Sequence, residues 1–139
     1  MHTLFDITSP SPDGQHTAHL AFSGEIRFGP AYYALSVDGI SFDQRIFGSA
    51  HLWSPSSNLL AVQEWLTLDY SAGPITALVL IDVLLRREIT VARATKRFMA
   101  PEAFEGSTIV YREEHAGQGV VKHFNLDAAK LKGWQPLDH

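Results

Sequence analysis

Trp53-Ser-Pro-Ser-Ser-Asn-Leu-Leu-Ala-Val-Gln-Glu-Trp65, followed after a loop by Ala77-Leu-Val-Leu-Ile-Asp-Val83, is the stretch that decides the fold. A Ser-Pro turn opens it, because proline presets φ for a turn. In the segment 59–68, Leu60, Val62, Leu66 and Leu68 alternate with Leu59, Ala61 and Trp65. A strand apolar on both faces belongs at the centre of a structure, covered twice. The segment 77–85 has the same character, and the loop between them, Asp69-Tyr-Ser-Ala-Gly-Pro74, is made of turn residues. An echo lies upstream, where Ser11-Pro-Asp-Gly14 precedes the run 18–22.

Working outward, short runs of β-branched and aromatic residues between turn signals predict an all-β chain. The expected strands begin with 4–8, then 17–22 and 25–28 on either side of a bulge or tight turn at Ser23-Gly24. Segment 32–37 leads into Asp38-Gly39, a strong hairpin signal, and 45–53 continues extended with an interruption at Gly48. Segment 84–98 mixes strand and helix signals; Ile89, Thr90 and Val91 tip it to strand, with a turn near Arg86-Arg87. A hairpin joins 108–113 to 120–125, and Asp127-Ala-Ala-Lys-Leu-Lys-Gly133 has the N-cap and C′ glycine of one short helix. The expected architecture is a single domain, residues 1–139: consecutive antiparallel meanders in an open twisted sheet or two-layer sandwich, with one short C-terminal helix.

Composition narrows the function classes. There is no cysteine among the 139 residues, which removes a disulfide framework, a thiolate metal site and a cysteine nucleophile together. The N-terminal stretch lacks the pattern of a signal peptide, and the longest apolar run is far short of the ~20 residues that span a bilayer. A soluble, cytoplasmic protein is expected. Net charge is −4, but five of the eleven basic residues fall in 86–97, so the remainder is more acidic still. That balance disfavours nucleic acid and suits a basic protein partner; it equally serves solubility.

The turn prolines Pro12, Pro55 and Pro101 stand 43 and 46 residues apart, near the period of a propeller blade. Together with Leu60-Ala-Val62 and Leu80-Ile-Asp-Val83 they resemble blade elements of TolB-like and WD40-like propellers. A closed ring needs about four blades, and this length holds three at most, so open meanders are expected instead of a ring.

No motif for chemistry stands out. The seven histidines lack metal-ligand spacing, and no Gly-x-Ser-x-Gly elbow or glycine-rich phosphate loop is present. No cofactor, metal or catalytic residue is therefore assigned. Two carboxylates fall in apolar strands. Glu64 shares a face with Leu60 and Val62, and burial there demands a partner such as Arg27 or Arg45. Asp82 reads either as a raised-pKa acid or as a strand-end residue satisfying turn amides, and the second reading is preferred. Trp65, Asp69 and Tyr70 combine rigid aromatic area with a charge, the chemistry of a binding hot spot; they also suit a core edge. Glu113 and Glu114, with Glu102 and Glu105 nearby, add acidic charge.

This compact, acidic, cysteine-free pattern resembles the small immunity proteins of bacterial toxin–immunity pairs. The resemblance is carried by Phe22-Ser-Gly-Glu-Ile-Arg-Phe-Gly29, the meander 53–65 and the element Gln63-Glu-Trp65/Asp69-Tyr70. It implies a non-catalytic protein that binds and neutralises a basic toxin domain through Glu64, Trp65, Asp69 and Tyr70, with Glu113 and Glu114 peripheral. The alternatives are a small-molecule or carbohydrate-binding domain, with Trp53, Trp65 and Tyr70 stacking on the ligand, and a small hydrolase with a His–carboxylate site.

Overall fold

The computed structural model describes residues 5–26, 29–69 and 71–137; Leu4, Arg27, Phe28 and Tyr70 lie outside them. Strand makes up 62% of the described residues, and the only helical element among them is one 3-10 turn, so the chain is all-β. The strands are β1 Ile7–Pro10, β2 Thr17–Glu25, β3 Ala31–Val37, β4 Ile40–Ser41, β5 Ile46–Trp53 and β6 Leu59–Trp65. They continue as β7 Ile75–Asp82, β8 Arg87–Thr95, β9 Arg97–Glu105, β10 Thr108–His115, β11 Val121–Asp127 and β12 Gln135–Pro136. One sheet runs β1-β2-β3-β5-β6-β7-β8-β12 with β4 on β3; a second runs β11-β10-β9. These are open antiparallel meanders and not a closed barrel.

The large sheet folds over on itself. In a flat sheet β1 and β5, three ladder steps apart, would stand roughly 14 Å from each other. Yet Trp53 Nε1 donates to the Ser9 carbonyl at 3.1 Å, and the Asp13 amide donates to Ser57 Oγ at 3.0 Å. The fold lies at the β3–β5 seam, where the ladder shrinks to the single pair Tyr33↔Phe47. One core fills the bend, with Leu20, Leu35 and Val37 against Leu60, Val62, Val79 and Ile81. A second core lies between the large sheet and the small one, where Leu59, Ala61, Leu78 and Leu80 meet Met99 and Ile109. Strands β6 and β7 are therefore the middle of three layers, and β6 is buried at every residue. That is the physical content of their two-sided apolarity.

The echo between the two Ser-Pro turns is reproduced bond for bond. Ser11 N donates to the His16 carbonyl at 2.8 Å, Gly14 N to the Ser11 carbonyl at 2.9 Å, and His16 N to Ser11 Oγ at 3.1 Å. Ser54 N donates to the Leu59 carbonyl at 2.8 Å, Ser57 N to the Ser54 carbonyl at 2.9 Å, and Leu59 N to Ser54 Oγ at 3.1 Å. Gly14 and Ser57 occupy equivalent left-handed positions, with φ of 73° and 66°. Pro101 does not continue the series: it is buried within β9, beside a register shift opposite Tyr111.

Other details follow or depart from the sequence pattern for local reasons. Asp38 and Gly39 both take positive φ and close the β3–β4 hairpin, and a register shift interrupts β2 between Phe22 and Gly24. Segment 84–98 is a turn, then β8, then a reversal at Lys96, φ 59°, into the start of β9. The C-terminal helix is reduced to the 3-10 turn Ala128–Lys130: Asp127 caps it by accepting from the Ala129 amide, but Leu131 is already extended. Strand β6 stops at Trp65, so Leu66 and Leu68 are exposed instead of sharing the inner face. Strand β1 runs on to Pro10, two residues past the expected end at Thr8.

Candidate functional site

The exit of β6 gathers most of the residues singled out from the sequence. Glu64 sits on the β6 face carrying Leu60 and Val62, 8% exposed. Its partner is Arg45, which precedes β5: Nε donates to Glu64 Oε2 at 3.0 Å and Nη2 to Oε1 at 2.9 Å. The same guanidinium reaches across to Glu88 on β8, with Nη1 to Oε2 at 2.9 Å and Nη2 to Oε1 at 2.8 Å. Phe42 and Phe47 flank its charged end at 5.4 and 5.5 Å from their ring centroids. The two carboxylates hold the guanidinium pKa far above its ordinary range, overriding the desolvation that burial imposes. Glu88 escaped the sequence reading because it is 43 residues from Arg45 and carries no local signal.

Trp65 is 3% exposed and presents no aromatic face to a partner. It lies on the opposite side of β6 from Glu64, where Phe98 meets it edge-on at 5.7 Å. The strand placed it correctly at an exit; the covering small sheet turned it into core. Asp69 does reach the surface, and its carboxylate accepts from the Ser71 hydroxyl at 2.6 Å and amide at 3.0 Å. Tyr70 lies outside the described residues. Glu113, half-buried, pairs with Arg97 at 2.9 Å. Glu114 stands opposite Phe98 in the β9–β10 ladder, which brings it to the side of the molecule where Phe98 covers Trp65. What remains open at the exit is the segment 66–69, with Leu66 39% and Leu68 53% exposed. It borders a cleft of about 290 Å³ shared with Gln44, Arg45, Ile46 and Glu64.

The stacking platform proposed for a ligand is not assembled. Trp53 is opposite Leu60 at the other end of β6, half-buried, engaged with Ser9 and stacked on His16 at 6.4 Å, while Trp65 faces the other core. A cleft of about 560 Å³ lies instead beside Arg45, Glu64 and Glu88 and is completed by Thr90, Lys132 and Gln135. Histidines do meet carboxylates, His16 with Asp38 at 2.7 Å and His123 with Glu102 at 2.6 Å. Asp82 behaves as a strand-end residue, accepting from the Leu84 and Leu85 amides and from Arg87. Among the described residues no three His, Asp or Glu side chains are arranged to hold a metal ion. Among them, too, no helix is long and apolar enough to cross a membrane.

The chain matches no protein-family model, no curated protein and no solved structure.

One titration follows from this geometry. Hydrogen bonds from Ser71 hold the Asp69 carboxyl below its ordinary value of 3.8; those from Ser11 and Gln15 do the same for Asp13, and those from Ser107 and Ala129 for Asp127. A carboxyl depressed in the folded state contributes stability that is present above its unfolded pKa and lost as pH falls through the folded value. The thermal midpoint is expected to drop between about pH 5 and about pH 2, and the triple variant D13N/D69N/D127N is expected to flatten that drop. An unchanged slope in the triple variant would show that other carboxylates govern it.

Proposed function

We propose that this chain is a non-catalytic, cytoplasmic binding domain that neutralises a cognate basic protein, a toxin domain, by docking it on the exit of β6. The observation that carries the reading is the segment 66–69. Directly after a fully buried strand, two leucines emerge into solvent beside a carboxylate held ionised by Ser71. Apolar anchors next to fixed charge on a rigid support are what a hot spot requires. The anchors are Leu66 and Leu68 in place of Trp65, and Asp69 supplies the sign that steers a basic partner. Glu114, at the side where Phe98 covers Trp65, adds to that field.

The test is a capture from the native host with tagged wild-type protein and with L66D/L68D, whose substitutions lie on exposed positions. Wild type is expected to recover one basic protein encoded nearby and to protect cells against it, and the variant to do neither. Equal recovery by both would move the interface elsewhere; recovery of nothing, with no protection, would sink the reading. A second reading, a small polar ligand, is favoured by the cleft of about 560 Å³ beside Glu88, Thr90, Lys132 and Gln135. It predicts that filling the cleft with T90W leaves partner capture untouched and abolishes ligand-induced stabilisation.

A further inference from the structure

Natural sheets protect their edges, because unpaired main-chain groups invite another strand. Among the described residues the edge strands β1, β12 and β9 are protected, although β12 covers only Arg87 and Glu88 of β8. Strand β1 has four residues and ends in Pro10, β12 has two and contains Pro136, and β9 carries Pro101 and packs on the large sheet. The outermost strand of the small sheet, β11, runs seven residues, Val121–Asp127, without proline, and 121–125 are all exposed. Its Val121 and Phe124 are 41% and 37% exposed, and Val120 just before it 48%.

The pairing of β11 with β10 fixes which of its groups are open. His115 N donates to the Val120 carbonyl and Ala128 N to the Ser107 carbonyl. In an antiparallel ladder bonded and non-bonded pairs alternate, so the even-numbered residues 120–128 bond β10. The main-chain groups of Val121, His123, Asn125 and Asp127 therefore point away from it. Among the described residues nothing bonds them.

We infer that β11 is a dimerisation edge, occupied by β11 of a second copy in antiparallel register about a two-fold axis through Phe124. The outward groups must pair with outward groups, which allows His123 to exchange bonds with Asn125 of the second copy, and Val121 with Asp127. Phe124 then faces its own copy in a non-bonded pair, where side chains come closest. Each Phe124 already stacks on Tyr111 at 5.4 Å and 23°, so the axis joins two stacked pairs into one aromatic row. Lys122 meets the apolar Leu126 of the second copy, and no like charges oppose each other in any pair. That match of the strand with itself singles out a second copy as the occupant, and the two small sheets become one of six strands. The partner site at the β6 exit is a separate surface.

Sedimentation of the purified full chain over a concentration series is expected to show a dimer. N125P removes an amide that points only outward, so it leaves the β10–β11 ladder whole, and it should weaken the dimer at least about tenfold. F124K, placing two lysines face to face on the axis, should do the same. Circular dichroism of both variants should retain the β spectrum. Because the chain has no cysteine, F124C alone should oxidise to a cross-linked dimer, while K122C, opposite Leu126, should not. A monomeric wild type, a dimer indifferent to both N125P and F124K, or cross-linking of K122C but not F124C would each overturn the assignment.

Discussion

Replacing Arg45 with methionine is expected to cost about 3–5 kcal/mol of folding stability, a large share of the ~5–15 kcal/mol available to a domain. The cost does not arise from one lost ion pair at the surface, where such pairs contribute about 0–1 kcal/mol. It arises because Glu64 and Glu88, with side chains 11% and 17% exposed, would be left facing each other without their shared cation. Four of the bonds that satisfy these carboxylates come from the single guanidinium.

Two further variants separate the causes. R45K keeps the charge but loses the planar fork that serves both carboxylates at once, so an intermediate loss of roughly 1–3 kcal/mol is expected. The apolar triple R45M/E64L/E88L removes the stranded charges and is expected to recover most of the loss, because a buried ionic cluster and a well-packed apolar one are often close in stability. Urea unfolding followed by tryptophan fluorescence measures all three. A loss below about 1 kcal/mol for R45M would mean that solvent screens the cluster as it does an exposed pair.

The same cluster shows where sequence reasoning reaches and where it stops. Turn chemistry is local, so Ser11-Pro12 and Ser54-Pro55 revealed the two equivalent turns, and Asp38-Gly39 the hairpin. Alternation is local too, so the two-sided burial of β6 was legible in Leu59, Leu60, Ala61 and Val62. Glu64 on an apolar face announced that a cation was needed, and Arg45 was one of two candidates. Which cation it was, and that Glu88 shares it, depends on the fold at the β3–β5 seam, which no window of residues contains. Trp65 failed for a related reason. Its place at a strand end is visible in the chain, but its cover, Phe98, arrives from a second sheet. Leu66 and Leu68 kept the alternation of β6 at and beyond the end of its ladder, where Leu66 N still donates to the Ile75 carbonyl, so their pattern promised burial that tertiary structure did not provide.

Gly48 carried a signal whose meaning only the layers explain. A glycine within a strand marks a bulge or a close approach, and here it is both. Register shifts between Phe47 and His51, and a Cβ at Gly48 would stand 2.9 Å from Gln63 Cδ and 3.1 Å from Trp65 Nε1. Gln63 cannot yield easily, because its Nε2 donates at 2.7 Å to the Met99 carbonyl and so ties β6 to the small sheet. G48A is therefore expected to cost about 2–4 kcal/mol, combining overpacking with the loss of a buried hydrogen bond. Q63A alone should cost about 1–3 kcal/mol, since the Met99 carbonyl loses its side-chain donor. In the Q63A background the closest obstruction is gone and only the Trp65 Nε1 contact at 3.1 Å remains, so the cost of G48A should fall to about 1 kcal/mol. The double-mutant cycle should thus return a coupling of at least about 1 kcal/mol. Additive losses would mean that the backbone of β5, and not the Gln63 bridge, is what requires glycine.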